Sequence, residues 1–255
     1  MRGEIQDDQK ARGAAASPEP ASSLDVAAFN DRLARDHDIN DYYTKAPLPI
    51  RWIEQTRLRI IREMVAEDPG QRILEIGSGG GHVLRMFKRA RLFAVDVSEV
   101  FLGQARANLA GYDATFIHGD VTKLDLPAGS FDRVICTEVL EHTANPEEIL
   151  AALARLLSPT GRAVITVPND PLIDGLKGLI RRTPARLLFG GKINWGGDEF
   201  HLHKWRPHEF RAILTRHFDV EEERAAPFPQ MPIRVCFLCR KKASGGVPPT
   251  AEHRG

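Results

Sequence analysis

The chain has 255 residues, and at roughly 150 residues per domain this length predicts one large domain or one domain with additions. Hydrophobic residues make up 42% and charged residues 27%, values typical of a globular protein with a sizeable core. The 35 Lys and Arg residues nearly balance the 34 Asp and Glu residues, so no global charge favours nucleic acid or an anionic membrane. Three cysteines are too few for a disulfide scaffold and predict a reducing, cytoplasmic environment.

The two ends of the chain differ in composition from the middle. Residues 1–24 are rich in Ala, Ser, Pro and acidic residues, and we expect disordered tails there and over 243–255. The first residues carry charges where a signal peptide needs an apolar run, and no uncharged apolar run reaches the roughly 18–20 residues that span a bilayer. The sequence therefore predicts a cytoplasmic chain without a membrane span.

Between the tails, short apolar runs alternate with amphipathic stretches. The spacing predicts, in chain order, a helix at 53–66, a strand at 72–76, a helix at 81–89, a strand at 92–97, a helix at 99–110, strands at 115–118 and 131–137, a helix at 146–157, a strand at 162–167, a helix at 207–217 and a closing hairpin of strands at 220–224 and 234–240. Near-continuous apolar strands that alternate with helices favour an α/β fold, with a doubly wound parallel sheet covered on both faces.

We expect a single domain over 25–242. It divides into an N-terminal helical cap at 25–68, a core at 70–169, and a basic, Gly-rich and aromatic insertion at 170–205.

The sharpest local signal is a strand that ends in a glycine-rich turn after Ile76. Glycines let the backbone approach a ligand closely, and a following helix would present free amides to it. Asp96 ends the next strand, nineteen residues after Gly77, where a carboxylate can accept both hydroxyls of an adenosine ribose. Two alternatives are a tight turn without a ligand and a dinucleotide-binding loop. The second would need a third glycine where this chain has His82.

The motifs resemble those of the class I S-adenosylmethionine-dependent methyltransferases over roughly residues 70–240. The first motif of that family has an acidic residue and three glycines, which match Glu75, Gly77, Gly79 and Gly81. The family's ribose-binding acid matches Asp96, and its adenine-contacting Asp matches Asp120. The string EVLEH at 138–142 resembles a small-molecule branch that includes quinone-biosynthesis enzymes.

The resemblance implies a Rossmann-like, three-layer αβα sandwich whose sheet is mostly parallel with an antiparallel last strand. It also implies S-adenosyl-L-methionine as the cofactor and methyl transfer to a small-molecule acceptor, first of all at oxygen. The cofactor-binding residues that it implies are Glu75, Gly77, Ser78, Gly79, Asp96, Val97, Asp120, Val121 and Thr137. Methyl transfer to carbon or nitrogen stays open, as does a catalytically inactive cofactor-binding protein that acts through partners.

Histidines are the candidates for a base that deprotonates the acceptor. His142 follows the fourth strand, where the resemblance puts the transferable methyl, and an imidazole titrates near neutral pH. Packing of the loop before Pro146 is the alternative role for His142. His201 and His203 are the second candidates, because the resemblance brings this segment towards the active site; a solvated loop is the alternative.

We expect no metal, although one set of side chains has the required chemistry. Glu138, Glu141 and His142 would share one face of a helical turn, as two carboxylates and an imidazole around a divalent ion would need. In the quinone O-methyltransferases that the string resembles, such a set is implicated in divalent-metal binding. Cys236 and Cys239 lie in an apolar strand without further ligands nearby, so we expect buried thiols and no zinc site.

The substrate side of the chain is basic and aromatic. Residues 174–217 carry nine Lys or Arg and four acidic residues, with Trp195 and Trp205 among them. This composition suits either a solvated excursion or a lid over an aromatic or anionic acceptor. Tyr42, Tyr43 and Trp52 in the cap would shape the acceptor pocket or pack on the sheet, and packing is favoured for Trp52. We expect no nucleic acid partner, and the sequence leaves the oligomeric state open.

Overall fold

The computed structural model describes residues 46–184 and 201–242. The helices are α1 (Leu48–Val65), α2 (Glu99–Asn108), α3 (Pro146–Leu156), α4 (Asp170–Arg181) and α5 (Pro207–His217), with short 3₁₀ helices at Leu84–Met86 and Leu140–His142. The strands are β1 (Arg72–Ile76), β2 (Arg91–Asp96), β3 (Ala114–His118), β4 (Phe131–Thr137), β5 (Leu157–Pro168), β6 (Phe218–Phe228) and β7 (Met231–Lys241). The predicted tails, Tyr42, Tyr43 and Trp195 lie outside the described residues.

The seven strands form one sheet in the order β3-β2-β1-β4-β5-β7-β6. The first five strands are parallel to their neighbours, whereas β7 is antiparallel to β5 and to β6. This topology confirms the predicted mostly parallel sheet with an antiparallel last strand, and β6 and β7 form the predicted closing hairpin. Because the chain order reverses between β1 and β4, the carboxyl ends of these strands border a natural crevice for ligands.

Helices cover both faces of the sheet, which confirms the three-layer architecture. On one face, α3 and α5 contribute Leu150, Leu153 and Phe210 to a core that includes Val134 and Phe237 of the sheet. A second core on the opposite face joins apolar side chains of α1 and α2 to the strands, among them Ile61, Leu102, Ile73, Ile135 and Val164. Burial of the central strands β1, β4 and β5 on both faces explains the apolar runs in their sequences.

Helix α1 is a layer of this sandwich, because Ile60, Ile61, Met64 and Val65 are buried against the sheet. Trp52, near its start, is 51% exposed and contacts Phe228 of β6 with ring centroids 5.9 Å apart. Trp52 thus packs on the end strand β6 of the sheet with part of its ring, whereas about half of its surface stays exposed.

The predicted helix at 81–89 is wrong. The segment forms turns and the single 3₁₀ turn Leu84–Met86, in which Phe87 N donates to Leu84 O at 2.9 Å. Three successive glycines disfavour a helix, and β2 already begins at Arg91. Leu84 and Phe87 are fully buried, so core packing fixes this short connection in place of a helix.

Three cysteines lie among the described residues, and all three are free and buried. Cys236 belongs to the core on one face of the sheet and Cys239 to the core on the other. Burial raises the pKa of each of these two thiols to about 12. The structure therefore agrees with the prediction of inert core thiols on opposite faces of a strand.

Among the described helices, none has the length and apolarity that crossing a bilayer requires.

Phe210 of α5 tests how the closing hairpin is held. Its fully buried ring lies 5.1 Å from the ring of Trp205 and 5.6 Å from that of Phe237, centroid to centroid. We expect Phe210→Ala to lower the free energy of unfolding by about 3–5 kcal/mol in urea titrations, because it leaves a cavity between helix and sheet. Leu179→Ala, at a site that is 62% exposed, is the control and should change it by less than about 0.5 kcal/mol. Equal effects of the two substitutions would contradict this account of the core.

Candidate functional site

Parallel strands end at a common edge, and that edge gathers most of the predicted site residues. Strands β1, β2 and β4 are adjacent, and their last residues are Ile76, Asp96 and Thr137. The glycine turn follows β1, and the EVLEH string follows β4. The sheet topology therefore brings these separate motifs to one crevice.

Asp96 organises the glycine turn. Its Oδ2 accepts a hydrogen bond from Gly79 N at 2.8 Å, and its Oδ1 accepts one from Ser98 N at 2.9 Å. Asp96 is 6% exposed, and burial raises the pKa of its carboxyl group against the opposing effect of these backbone donors. One side chain thus fixes both the loop after β1 and the start of α2.

Packing explains two of the glycines in the turn. Gly77 has φ +65°, and a Cβ there would lie 2.4 Å from Cγ2 of Val139. Gly81 has φ +74°, and its Cβ would meet Leu109 at 3.1 Å. These positions require glycine because the turn lies directly on the segment after β4 and on the end of α2. Asn108, which sequence reasoning missed, also secures the turn by donating from Nδ2 to Gly80 O at 2.9 Å.

Glu75 lies beneath the turn and is completely buried. Thr137 Oγ1 donates to its Oε1 at 3.4 Å. Burial raises the pKa of Glu75 to about 8, although the charge of Arg57 and the Thr137 hydrogen bond oppose the shift. Within the part of the chain that the structure describes, Glu75 Oε2 and the buried Ser78 Oγ have no hydrogen-bond partner. Unpartnered polar atoms beside a glycine turn suit a polar ligand, and this fits the amino acid part of S-adenosylmethionine.

Asp120, the residue predicted to contact the adenine, is more exposed than Glu75 and Asp96. Asp120 Oδ1 accepts hydrogen bonds from Thr122 N at 3.0 Å and from Thr122 Oγ1 at 2.7 Å. Partial burial would raise the pKa of Asp120, but these bonds and the nearby Lys123 lower it overall. Val121 is buried in the core next to it, and Val97 O accepts a hydrogen bond from His118. Asp120 is thus an ionised carboxylate that is hydrogen-bonded within its own turn and lies next to the buried Val121.

Glu138 does not join a helical turn with Glu141 and His142, so the expected shared face is wrong. Its φ is +54°, and the 3₁₀ helix begins only at Leu140. Thr166 Oγ1 donates to Glu138 Oε1 at 2.8 Å, and Arg234 Nε lies 2.9 Å from Glu138 Oε2. The left-handed backbone turns this carboxylate towards β5 and β7, away from the other two side chains.

Sequence reasoning missed the ion pairs that hold Glu138 and the buried Glu54. Arg234 of β7 also lies 3.4 Å from Glu54 of α1, and Glu54 accepts a hydrogen bond from Arg57 at 2.8 Å. Burial would raise the pKa of Glu54, yet Arg57 and Arg234 lower it overall. These residues join α1, β7 and the loop after β4 at the crevice. The sequence signal that could have revealed this network is the acidic Glu54 and the basic Arg57, which lie three residues apart in an amphipathic helix.

Glu141, His142 and His201 come together at the far side of the crevice. The rings of His142 and His201 meet edge to face with centroids 4.7 Å apart. Glu141 is buried, and both its carboxylate oxygens lack a hydrogen-bond partner among the described residues. One ligand atom from each of the three lies within 4.8 Å of the others, so this cluster could hold a metal ion better than the predicted set with Glu138. The expectation of no metal stays a prediction.

His201 is fixed from two directions. Asp170, the first residue of α4, lies with Oδ2 2.8 Å from His201 Nδ1. The backbone amides of Leu202 and His203 donate to Glu141 O at 2.8 and 3.2 Å. His203 itself turns away, since its ring stacks on Trp205 and its Nε2 lies 3.0 Å from Thr143 O.

The described basic residues of the stretch 174–217 are largely paired with acidic residues. Lys204 pairs with Asp174 at 3.0 Å, Arg211 with Glu223 at 3.0 Å, and Arg216 with Glu147. These three cations therefore mark no anion site, which favours a solvated surface for this part of the segment.

Comparison with known proteins shows what part of this chain is similar to. Residues 74–165 match a family model described as a methyltransferase domain. The ubiquinone biosynthesis O-methyltransferase of Dechloromonas aromatica is 33% identical over 138 residues, which cover 52% of this chain and 53% of that protein. The enzyme of the same name from Thiobacillus denitrificans is 33% identical over 156 residues, covering 58% and 63%. The chain thus spans between half and two thirds of the length of these relatives.

Solved structures share the fold over a longer stretch. The N-methyltransferase NodS of Bradyrhizobium japonicum, solved in complex with S-adenosyl-L-homocysteine, superposes with a TM-score of 0.62 over 86% of this chain and 99% of that chain. The sequence identity is 17%, so this likeness establishes the fold and nothing finer.

The buried Glu75 predicts a pH dependence of stability. Its pKa rises from 4.5 to about 8 on folding, so the folded state holds a proton that the unfolded state has lost between these values. The free energy of unfolding should therefore fall as the pH rises from about 4.5 to 8, by about 2–5 kcal/mol from this group.

Glu75→Gln should make the free energy of unfolding less dependent on pH, because the amide stays neutral over this range. Urea unfolding at pH 5 and pH 8 measures the difference, with the exposed Glu148→Gln as the control for charge removal. A wild-type and a Glu75→Gln protein with the same pH dependence would show that Glu75 is ionised in the folded state.

Proposed function

We propose that this chain, which carries a methyltransferase domain of the class I S-adenosylmethionine-dependent type, transfers a methyl group from S-adenosylmethionine to an oxygen of a small-molecule acceptor. The observation that carries the proposal is the glycine turn held by Asp96 above the buried, unpartnered atoms Glu75 Oε2 and Ser78 Oγ. This arrangement leaves polar groups for a ligand that has both a nucleoside and an amino acid part.

Each part of the crevice has a role in holding the cofactor. The residues that we assign to this task are Glu75, Gly77, Ser78, Gly79, Asp96, Val97, Asp120, Val121 and Thr137. Asp96 would bind the ribose hydroxyls and Asp120 the adenine amino group, whereas Glu75, Ser78 and Thr137 would meet the methionine part. When bound, the cofactor supplies a methyl group that its sulfonium has already activated.

The protein then has to position the acceptor and take its proton. An in-line displacement needs the acceptor oxygen, the methyl carbon and the sulfur in a row, and orientation contributes much of the rate. His142 and His201 lie next to one another beyond β4, and either imidazole can act as the base. No protein nucleophile is required, because the acceptor itself attacks the methyl carbon.

Oxygen is the preferred acceptor atom because the relatives that match at 33% identity are O-methyltransferases of ubiquinone biosynthesis. An aromatic hydroxyl is the corresponding substrate class. Transfer to carbon or nitrogen is the alternative that the assay below separates. An anionic acceptor is not favoured by the described cations, since Lys204, Arg211 and Arg216 are paired with acids.

A cofactor-binding protein without transferase activity is the second candidate. The observation that favours it is the burial of His201 against Asp170, with side chains only 11% and 5% exposed. A buried imidazole is less accessible to an acceptor that must give up its proton. It predicts tight binding of the cofactor without turnover.

Transfer of a radiolabelled methyl group tests the proposal. The protein and labelled S-adenosylmethionine are incubated with a host-cell extract, which is then separated into small-molecule, lipid, protein and nucleic acid fractions. We expect label in the small-molecule or lipid fraction, in a product whose methyl group is released as iodomethane by hydriodic acid, the mark of an oxygen-linked methyl. Asp96→Ala is the matched control and should incorporate little label.

Label in protein or nucleic acid would contradict the substrate class, and label in none of the fractions would favour the second candidate. EDTA should leave incorporation unchanged if no metal takes part. Loss of incorporation with EDTA, restored by a divalent ion, would assign a metal to the cluster of Glu141, His142 and His201.

A further inference from the structure

Arg234 of β7 places a fixed positive charge at the crevice. Its Nε lies 2.9 Å from Glu138 Oε2 and 3.4 Å from Glu54 Oε1. In the register of the sheet, Arg234 lies opposite Pro168, the last residue of β5, which ends at the same edge of the sheet as β4. Because an arginine guanidinium keeps its charge in proteins, this cation is always present beside Glu138.

Glu138 is held by β5 on its other side. Thr166 Oγ1 donates to Glu138 Oε1 at 2.8 Å, and the backbone amide of Glu138 donates to Thr166 O at 3.1 Å. Thr166 is buried within the central part of the sheet, so it gives a rigid support. The protein itself therefore contacts both carboxylate oxygens of Glu138.

This arrangement does not fit the metal set that the resemblance implies. A divalent ion bound to Glu138 would share its carboxylate with a guanidinium whose Nε is only 2.9 Å away, and two cations this close repel each other. Among the described residues, the cluster of potential metal ligands joins Glu141 to His142 and His201 and leaves Glu138 out.

The loop that Glu138 begins borders the glycine turn. Val139, the next residue, packs so closely that a Cβ on Gly77 would come within 2.4 Å of its Cγ2. Glu138 has φ +54°, a conformation that a residue with a side chain keeps only where the surrounding contacts hold it. Its contacts with Arg234 and Thr166 supply that hold, and they thereby fix Val139 against the turn.

We propose that Arg234 is a built-in cation that takes the place of a divalent ion beside Glu138 and positions the loop after β4 for cofactor binding. The first part, that Glu138 pairs with Arg234 and is no metal ligand, does not depend on the proposed function. The second part rests on the proposed function, since loss of Arg234 would loosen Val139 against the glycine turn and weaken binding of the cofactor. A divalent ion bound elsewhere, by Glu141 and the two histidines, is compatible with both parts.

The closing hairpin offers a matched control. Arg224 of β6 donates from Nη1 to Glu63 Oε2 at 2.7 Å, so it ties the hairpin to α1 as Arg234 does through Glu54. Arg224→Gln removes one such tether without touching Glu138. Arg234→Lys keeps a positive charge at its position, whereas Arg234→Gln removes it.

The first experiment is titration of the full chain with Mn²⁺, with the free ion counted by its electron paramagnetic resonance signal. We expect Glu138→Gln to bind Mn²⁺ as the wild type does. Arg234→Gln should bind Mn²⁺ roughly 10-fold more tightly than the wild type, because the ion replaces the lost charge, and adding Glu138→Gln should cancel this gain. Arg234→Lys should show no gain.

Two results of this titration would overturn the first part. One is a loss of about 10-fold or more in Mn²⁺ affinity on Glu138→Gln, the size expected when a metal contact is removed. The other is an Arg234→Gln protein that is folded by circular dichroism and gains no Mn²⁺ affinity. If Arg234→Gln does not fold, Glu138→Gln alone still decides whether Glu138 is a ligand.

The second experiment is calorimetric titration with S-adenosyl-L-homocysteine. We expect Arg234→Gln to weaken binding roughly 3- to 30-fold through the loosened loop, and Glu138→Gln, which breaks the same ion pair from the other side, to weaken it in the same range. Arg234→Lys should recover most of the affinity, and Arg224→Gln should leave it unchanged.

Equal losses of affinity in Arg234→Gln and Arg224→Gln would overturn the second part and make Arg234 only a tether of the hairpin. A folded wild type that binds no S-adenosyl-L-homocysteine would count against the proposed function, and the Mn²⁺ titration would still decide the first part.

Discussion

The hydrogen bond from Gly79 N to Asp96 is the interaction on which the site depends, because it joins the ends of two parallel strands. Strand β1 would otherwise lead into a glycine turn with many accessible conformations. Asp96 restricts that turn and, through Ser98 N, also sets the start of α2. In the proposed function the same residue that builds the loop would also contact the ribose of the cofactor.

Buried charge is the second constraint at this edge of the sheet. Glu75 is kept protonated by burial, whereas Glu54 and Glu138 are held by Arg57 and Arg234. Removing one partner of such a buried pair leaves an uncompensated charge, which costs more than the pair contributes. The arrangement therefore suits a site that must keep its shape before a charged ligand arrives.

The central strands were predictable because a parallel sheet buries both of their faces, so each contains an apolar run such as Val134–Cys136 of β4. The glycine turn and Asp96 were predictable from spacing, since both follow directly on strands. The helix at 81–89 failed because packing of Leu84 and Phe87 overrides helical spacing. The positive φ of Glu138 and the contact between Asp170 and His201 depend on tertiary structure, and no local pattern encodes them.

Calorimetric titration with S-adenosyl-L-homocysteine tests the central claim that the Asp96-held turn is a cofactor site. The account predicts saturable binding at one site in the wild type, and binding about 10- to 100-fold weaker in Asp96→Ala, a loss of about 1.4–2.8 kcal/mol. Both proteins should remain folded by circular dichroism. Absence of binding to the folded wild type, tighter binding of NADH, or equal affinity of the two proteins would contradict it.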